Sequence, residues 1–341
     1  MLDWFSGTVG YDASRMELGR FWETDRHGAF VRERPRWETA EGSFASGVQV
    51  TSTLAPDDLW SAHRKLGFLC SDRVLKISGN PSKFLQGHNA AGPSVSQLGP
   101  VLQGLVRCFG EGLRPLDADS PILPAVMRSR MDITTATDLG DHRAVHEWIE
   151  AAATMTRSRH GRAINSQGTV YWGKNSTRWS MKAYCKHCEL QAHQPAHVEL
   201  LPDLLEWTRT HLRIELTLRR PELKDRGTLS EAIIWEYMSK IIEVPNMHAS
   251  KNYAPENLRP FVKLALESWY NGGDLKSTLP HRTFYKYRKE ILEETGIDVL
   301  LPRVDQSDGA EKVLLGLDEL RRREVLEIPA RIQRSLFGAA I

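Results

Sequence analysis

The chain lacks long apolar segments. Its apolar runs are short, as at residues 299–301 and 313–315, whereas a membrane-spanning helix needs about 20 apolar residues. Residues 1–5 contain an acid where a secretion signal would carry Lys or Arg, and no apolar core follows. The sequence therefore predicts no membrane span and a cytoplasmic location.

Cysteine is scarce and the net charge is small. The 341 residues include four Cys, which is too few for a disulfide scaffold and favours a reducing compartment. The hydrophobic share of 41% and the charged share of 26% are typical of a folded globular protein. The net charge of +2 does not by itself indicate a nucleic-acid partner.

The basic residues, however, are unevenly distributed. Between Thr154 and Cys188 there are seven Lys or Arg and no Asp or Glu. A stretch with one sign of charge produces a local field suited to phosphate, although a solvated basic face has the same composition. These seven residues are Arg157, Arg159, Arg162, Lys174, Arg178, Lys182 and Lys186.

Hydrophobic periodicity predicts an α+β fold with a mixed or antiparallel sheet, followed by a small helical domain. Alternation predicts strands and the 3.6-residue spacing predicts helices. We expect this α+β domain at 1–225, the small helical domain at 226–303, and a linker with an amphipathic tail at 304–341. Within the first domain, the predicted strands cover 44–54, 74–78, 126–134, 168–172, 179–189 and 212–218, and the predicted helices cover 99–113 and 141–156.

Tyr184 lies between Lys182 and Lys186 on a predicted strand. Alternation would place all three side chains on one face of the sheet. A phenol has a pKa near 10, so a nucleophilic tyrosine needs a nearby cation or metal that favours the phenolate. The two lysines could supply this charge and hold a phosphate. A surface tyrosine between lysines has the same pattern.

Three acids on neighbouring predicted strands could bind a divalent cation. They are Asp132, Glu189 and Glu215, and carboxylate oxygens are the ligands that Mg²⁺ or Mn²⁺ prefers. Acids from different strands can converge on one face of a sheet. The alternative is a set of ordinary ion pairs, such as Arg130 with Asp132 and Arg213 with Glu215.

The segment at 79–89 is dense in turn residues and hydrogen-bonding side chains. It includes Lys83, Gln86, His88 and Asn89. His88 could be a further metal ligand, a general acid or a phosphate contact, or simply a histidine in a loop.

Two other patterns need an interpretation. Cys185, Cys188, His193 and His197 have a compact zinc spacing, but on a strand running to residue 189 the two sulfurs would face opposite sides. Residues 283–289 interleave aromatic and basic side chains, which suits stacking and phosphate contact. In a helix, Phe284, Tyr287 and Ile291 would form a core-facing stripe.

Several segments together resemble the gene-two replication initiator family of filamentous phages. They are residues 79–89 (GNPSKFLQGHN), 130–134 (RMDIT), 168–190, 212–218 (LRIELTL) and 269–302. The resemblance implies a strand-specific nick at the origin of double-stranded replicative-form DNA and later closure of the displaced strand. It implies that residues 1–225 are the rolling-circle initiator or nickase domain and that residues 226–303 are a DNA-binding or accessory domain. It also implies Mg²⁺ or Mn²⁺ as cofactor, a host helicase and polymerase as partners, and Tyr184 as the covalent nucleophile. The family tends to have apolar residues where Cys185 and Cys188 stand, which disfavours zinc.

We therefore predict Tyr184, Lys182 and Lys186 as catalytic residues and Asp132, Glu189, Glu215 and His88 as metal ligands. DNA contacts are predicted for Lys83, Gln86, His88, Asn89, Arg130, Lys174, Ser176, Arg178, Arg282, Lys286 and Arg288. Two alternatives remain. The protein could be a non-catalytic DNA-binding regulator, or it could be a plasmid rolling-circle initiator or mobilisation nickase with the same chemistry.

Overall fold

The structure is a computed structural model. It describes residues 1–12, 20–35, 37–41, 47–54, 73–107, 114–115, 127–193, 200–224, 226, 229–243, 258–295, 299–300, 315–329 and 332. Among these residues, no helix has both the length and the apolar character needed to cross a membrane.

A ten-stranded sheet with antiparallel pairing forms the centre of the described chain. The strands, in chain order, are β1 (Leu2–Asp12), β2 (Arg20–Thr24), β3 (Phe30–Pro35), β4 (Glu38–Glu41), β5 (Gly47–Leu54), β6 (Arg73–Gly79), β7 (Arg114–Pro115), β8 (Met127–Asp138), β9 (Thr156–Ser158), β10 (Gly161–Arg162), β11 (Ile164–Ser166), β12 (Thr169–Trp172), β13 (Trp179–Cys185), β14 (His211–Arg219) and β15 (Ile242–Glu243). The order across the sheet is β11, β12, β13, β14, β8, β1, β6, β5 and β4, with β7 paired to β1. The central strands are thus β13, β14, β8 and β1.

Eleven helices are described. They are α1 (Pro81–Gln86), α2 (Leu98–Arg107), α3 (His142–Met155), α4 (Lys186–Ala192), α5 (Leu201–Thr208), α6 (Arg220–Lys224), α7 (Ile233–Met238), α8 (Pro260–Tyr270), α9 (Leu275–Thr278), α10 (His281–Thr295) and α11 (Leu317–Arg322). The antiparallel sheet with its helices confirms the predicted α+β class.

Alternation along β14 separates two kinds of side chain. Leu212, Ile214 and Leu216 belong to the main hydrophobic core, together with buried residues of α2, α3 and α7. The intervening Arg213 and Glu215 point to the other face because successive strand residues alternate. They are nevertheless buried, so this second face holds charged groups away from water.

Helices α8, α9 and α10 enclose a small core of their own. Phe284 and Ile291 are buried in it, and Tyr287 packs against it, which confirms the predicted stripe on α10. By contrast, α7 packs in the main core, as does Leu320 of α11. The domain boundaries at 225 and 303 stay predictions.

One local prediction was wrong, and one turn-rich segment forms a helix that the sequence analysis did not predict. The predicted strand at 179–189 ends at Cys185, and helix α4 begins at Lys186. The turn-rich segment at 79–89 contains helix α1, because Asn80 caps it by accepting a hydrogen bond from the Lys83 backbone N–H at 2.9 Å. Gly87 ends the helix with a φ of 81°, a conformation that favours glycine.

Candidate active site

Tyr184 lies on the charged face of the sheet. Pairing of β13 with β14 sets Tyr184 opposite Arg213 and Lys182 opposite Glu215. On the neighbouring strand β8, Asp132 pairs with Thr217 of β14. Asp132 therefore lies diagonal to Glu215. The fold therefore brings Tyr184, Lys182, Glu215 and Asp132 to one surface, and alternation predicted this for Tyr184 and Lys182.

The contacts of Tyr184 are with the acid and the lysine beside it. The side chain is 8% exposed, and its Oη donates a long hydrogen bond of 3.5 Å to Glu215 Oε2. Lys182 Nζ lies 5.1 Å from the centroid of the tyrosine ring and 3.0 Å from Glu215 Oε1. Lys182 is therefore paired with a carboxylate rather than with the phenol oxygen.

The two lysines were expected to favour a phenolate at Tyr184. The side chains around Tyr184 instead favour the protonated phenol. Burial raises the pKa of Tyr184 well above 10, and the carboxylates of Glu215 and Asp3 raise it further. Arg213 opposes this shift of the tyrosine pKa but does not cancel it. At neutral pH the phenol is thus protonated, and its proton must be removed before or during any attack.

Asp3 is a member of the site that sequence reasoning missed. Between β1 and β8 the register passes from Leu2 opposite Ile133 to Trp4 opposite Asp132, so β1 has one extra residue there. The Asp3 carboxylate consequently reaches the charged face. The sequence signal was weak, a single acid among the apolar residues that begin the chain.

Three donors hold the Asp3 carboxylate. Its Oδ1 accepts hydrogen bonds from Asn89 Nδ2 at 2.8 Å and Asn80 Nδ2 at 3.0 Å, and Arg213 Nη2 lies 3.3 Å away. Burial would raise the pKa of Asp3, but Arg213, Lys186 and the two amides outweigh burial and lower it. Asp3 is therefore an anion fixed by neighbouring side chains.

Lys186 is buried behind this acid. It is 1% exposed at its side chain, and its Nζ donates to Asn89 Oδ1 at 2.8 Å and to Glu189 Oε2 at 2.6 Å. Burial and the nearby Arg213 lower the pKa of Lys186 to about 8. Asn89 thus bridges Lys186 to Asp3. Among the described hydrogen bonds, none joins Lys186 to Tyr184.

The acids differ in how they could serve a divalent cation. Burial raises the pKa of Glu215 to about 7, and repulsion from Asp3 adds to this shift while Lys182 opposes it. Asp132 receives two hydrogen bonds from Arg130, at 2.9 and 2.5 Å. Glu189 lies on α4 and pairs with Lys186. Neighbouring carboxylates that repel one another, as Glu215 and Asp3 do, suit a hard cation, so the oxygen donors of this face fit Mg²⁺ or Mn²⁺.

The segment at 79–89 supports the site from beside β1. Gln86 Nε2 donates to the backbone oxygens of His88 at 3.2 Å and Ala91 at 2.6 Å. His88 is buried, Asn89 is bonded as described, and Lys83 is half-buried. Metal binding by His88 and DNA contact by Lys83, Gln86, His88 and Asn89 stay predictions.

The other predicted DNA contacts lie at several places on the surface. Arg130 and Lys174 are exposed, and Lys174 Nζ lies 4.6 Å from the Tyr171 ring centroid. Arg178 Nε lies 2.8 Å from Glu222 Oε2. Ser176 is half-buried in the turn between β12 and β13. On α10, Arg282 and Lys286 are exposed and Arg288 is half-buried.

Behind Tyr184, on the opposite side of β13, is a second cluster of chemically active side chains. Cys185 and Cys188 lie close together with His142 and His146 of α3. The argument that the two sulfurs face opposite sides was wrong, because α4 begins at Lys186 and its first turn brings Cys188 back toward Cys185. His193 is exposed and is not part of this cluster, and His197 lies outside the described residues.

Comparison with known proteins identifies relatives. A family model for the N-terminal part of the gene-two Replication-associated protein matches residues 1–246. The chain is 30% identical to the gene-two Replication-associated protein of Enterobacteria phage I2-2, over 99% of this chain and 98% of that protein. The protein of the same name from Enterobacteria phage M13 is 27% identical over 45% of this chain and 41% of that protein.

A solved structure of a rolling circle replication initiator protein from Geobacillus stearothermophilus can also be superposed on the chain. It is 11% identical, with a TM-score of 0.32, and the match covers 74% of this chain and 89% of that one.

Proposed function

Because the chain belongs to the gene-two Replication-associated protein family of phages, we propose that it initiates and terminates rolling-circle replication of phage DNA. In this proposal it nicks one strand of the double-stranded replicative form at the origin and later rejoins the displaced strand. Tyr184 is the nucleophile. The observation that carries the proposal is the burial of Tyr184 among Glu215, Arg213 and Lys182 on one face of the sheet.

The chemistry is a transesterification. Tyr184 Oη attacks the scissile phosphorus, the bond to the 3′ oxygen breaks, and a tyrosyl phosphate conserves the phosphodiester energy. The phenol proton leaves along the 3.5 Å hydrogen bond to Glu215 Oε2 and passes to solvent, while the departing 3′ oxygen takes up one proton and becomes a 3′-OH. Rejoining is the reverse attack by a 3′-OH, and therefore needs no nucleotide cofactor.

The cations of the site have separate roles. Arg213 lies opposite Tyr184 and lowers its pKa against the effect of burial, so it stabilises negative charge as it develops on the phenol oxygen. Lys182 is partly exposed beside the tyrosine ring, where it can contact a phosphate. Lys186 lies beneath the surface of the site and orients Asn89 and Glu189 through hydrogen bonds from its Nζ.

Asp132 and Glu215 would hold Mg²⁺ or Mn²⁺, with Asp3 as the third carboxylate on the same face. The bound cation would supply charge neutralisation at the scissile phosphate. Glu189, whose carboxylate is turned to Lys186, would support the site by orienting that lysine. The basic hairpin of β12 and β13 and the exposed bases of α10 would bind the DNA backbone.

The test uses supercoiled DNA carrying the phage origin, with the full-length protein and either Mg²⁺, Mn²⁺ or EDTA. We expect a nick only with metal, and a covalent DNA adduct that mass spectrometry assigns to a peptide containing Tyr184. Tyr184→Phe should abolish both. Tyr270→Phe is the matched control, because it removes from helix α8 a phenol oxygen that has no hydrogen-bond partner among the described residues, and it should retain both.

Three outcomes would contradict the proposal in different ways. Nicking by Tyr184→Phe, or an adduct on another tyrosine, would refute the nucleophile. Nicking in EDTA would refute the metal requirement. Specific binding without cleavage in either metal would favour the regulator, in which Tyr184→Phe leaves function unchanged.

A further inference from the structure

The cluster behind Tyr184 has the ligand types of a structural zinc site. His142 and His146 are four residues apart on α3, so they share one face of the helix. Cys185 ends β13 and Cys188 lies in the first turn of α4, and both are free thiols. Two Cys and two His are a common ligand set for zinc, and C-x2-C is a common spacing within it.

The three distances among His142, His146 and Cys188 are those expected for ligands of a tetrahedral zinc ion. Bonds of about 2.0 Å to nitrogen and about 2.3 Å to sulfur require about 3.3 Å between two nitrogens and about 3.5 Å between nitrogen and sulfur. In the structure, His142 Nε2 and His146 Nε2 are 3.3 Å apart. Cys188 Sγ lies 3.4 Å from the first nitrogen and 3.5 Å from the second. All four ligand atoms lie within 4.8 Å of one another.

We propose that His142, His146, Cys185 and Cys188 bind one Zn²⁺ ion that ties α3 to the junction between β13 and α4. Binding forms two Zn–N and two Zn–S bonds and releases the two thiol protons to solvent. All four positions are filled by protein, so the ion is structural rather than catalytic. The ion fixes the position of the junction between β13 and α4, which directly follows Tyr184 in the chain.

The ligand set differs from the one that the sequence spacing suggested. His193 and His197 follow the cysteines closely in the chain, whereas His142 precedes Cys188 by 46 residues. Without an ion, the same short distances would be hydrogen bonds among two imidazoles and a thiol. The experiment must therefore distinguish a metal site from a hydrogen-bonded cluster.

The test is to purify the full-length protein without a histidine tag, under reducing conditions, and measure its metal content. We expect one zinc per chain. Replacing zinc with Co²⁺ should give the strong visible bands of tetrahedral cobalt and a thiolate charge-transfer band in the near ultraviolet. Chelation should lower the Tm, and thiol titration should then detect two additional reactive cysteines.

Variants assign the ligands. Cys188→Ser and His146→Asn replace half-buried side chains, and each should reduce bound zinc to background and change the cobalt spectrum. The control His193→Asn removes an exposed imidazole from outside the cluster, and this variant should retain one zinc per chain.

Wild-type protein that contains no zinc and gives no tetrahedral cobalt spectrum would overturn the proposal. So would zinc that survives Cys188→Ser and His146→Asn, or a mass lower by two hydrogens that indicates a disulfide between Cys185 and Cys188. Because these readouts do not involve DNA, they are independent of whether Tyr184 is the nucleophile.

Discussion

Replacing Arg213 with Met should destabilise the fold strongly. The guanidinium is 2% exposed at its side chain and lies 3.3 Å from Asp3 Oδ1, and it also donates to the Ala90 backbone oxygen at 3.1 Å. Met has a similar length but no charge, so Arg213→Met leaves the Asp3 anion buried without its strongest partner. Breaking a buried pair in this way costs about 3 to 5 kcal/mol.

The lower end of that range applies here, for two reasons. Asp3 keeps the hydrogen bonds from Asn89 and Asn80, and Arg213 Nε is buried without a hydrogen-bond partner in the wild-type structure. We therefore expect a loss of about 3 kcal/mol in the free energy of unfolding for Arg213→Met.

Urea unfolding, monitored by tryptophan fluorescence, measures this loss. The control Arg143→Met breaks an exposed pair with Glu147 and should cost no more than about 0.5 kcal/mol. The double variant Asp3→Asn with Arg213→Met removes both charges, so it should be more stable than the sum of the single losses predicts by about 2 kcal/mol. An Arg213→Met loss below about 1 kcal/mol, or strict additivity in the double variant, would refute the buried-pair argument.

Three further predictions concern the core, the DNA surface and helix α1. Trp172→Ala should lower the free energy of unfolding by about 4 kcal/mol, because it empties a fully buried site and leaves Thr156 Oγ1 without its 2.8 Å indole donor. Urea unfolding measures this loss, and a value below about 1.5 kcal/mol would contradict the prediction. Arg282→Gln should weaken binding to origin and unrelated DNA equally and reduce the salt slope by about one, measured by fluorescence anisotropy; an unchanged slope would exclude a phosphate contact. Gly87→Ala should lower the free energy of unfolding by about 1 kcal/mol because Gly87 has a positive φ. The control Gly104→Ala lies inside α2 with open space around it, so it should be neutral or stabilising. Thermal melts of both variants measure the difference.

Sequence periodicity predicted the central strands well. The alternation of β14 follows from apolar residues at every second position, and it correctly separates Leu212 and Ile214 from Arg213 and Glu215. The same rule put Tyr184 and Lys182 on one face. These predictions succeeded because strand alternation depends only on local backbone geometry.

The remaining members of the site depend on contacts that local patterns do not contain. Asp3 reaches Arg213 across 210 positions of sequence, through an extra residue in β1. The change from strand to helix after Cys185 was also missed, because the segment at 186–192 has no Gly or Pro to mark a break. That error led to the wrong conclusion that the two cysteine sulfurs diverge.

The change from strand to helix after Cys185 explains how four residues within the short segment 184–188 can serve two sites. Tyr184 and Lys186 point toward the acids of the charged face, since Tyr184 contacts Glu215 and Lys186 contacts Asn89. Cys185 and Cys188 point toward α3 on the other side. A strand continued to residue 189 would separate the two sulfurs and carry Lys186 out of contact with Glu189, which reaches it through the first turn of α4 at 2.6 Å. Helix formation at Lys186 is therefore a common requirement of the buried lysine network and of the proposed zinc site.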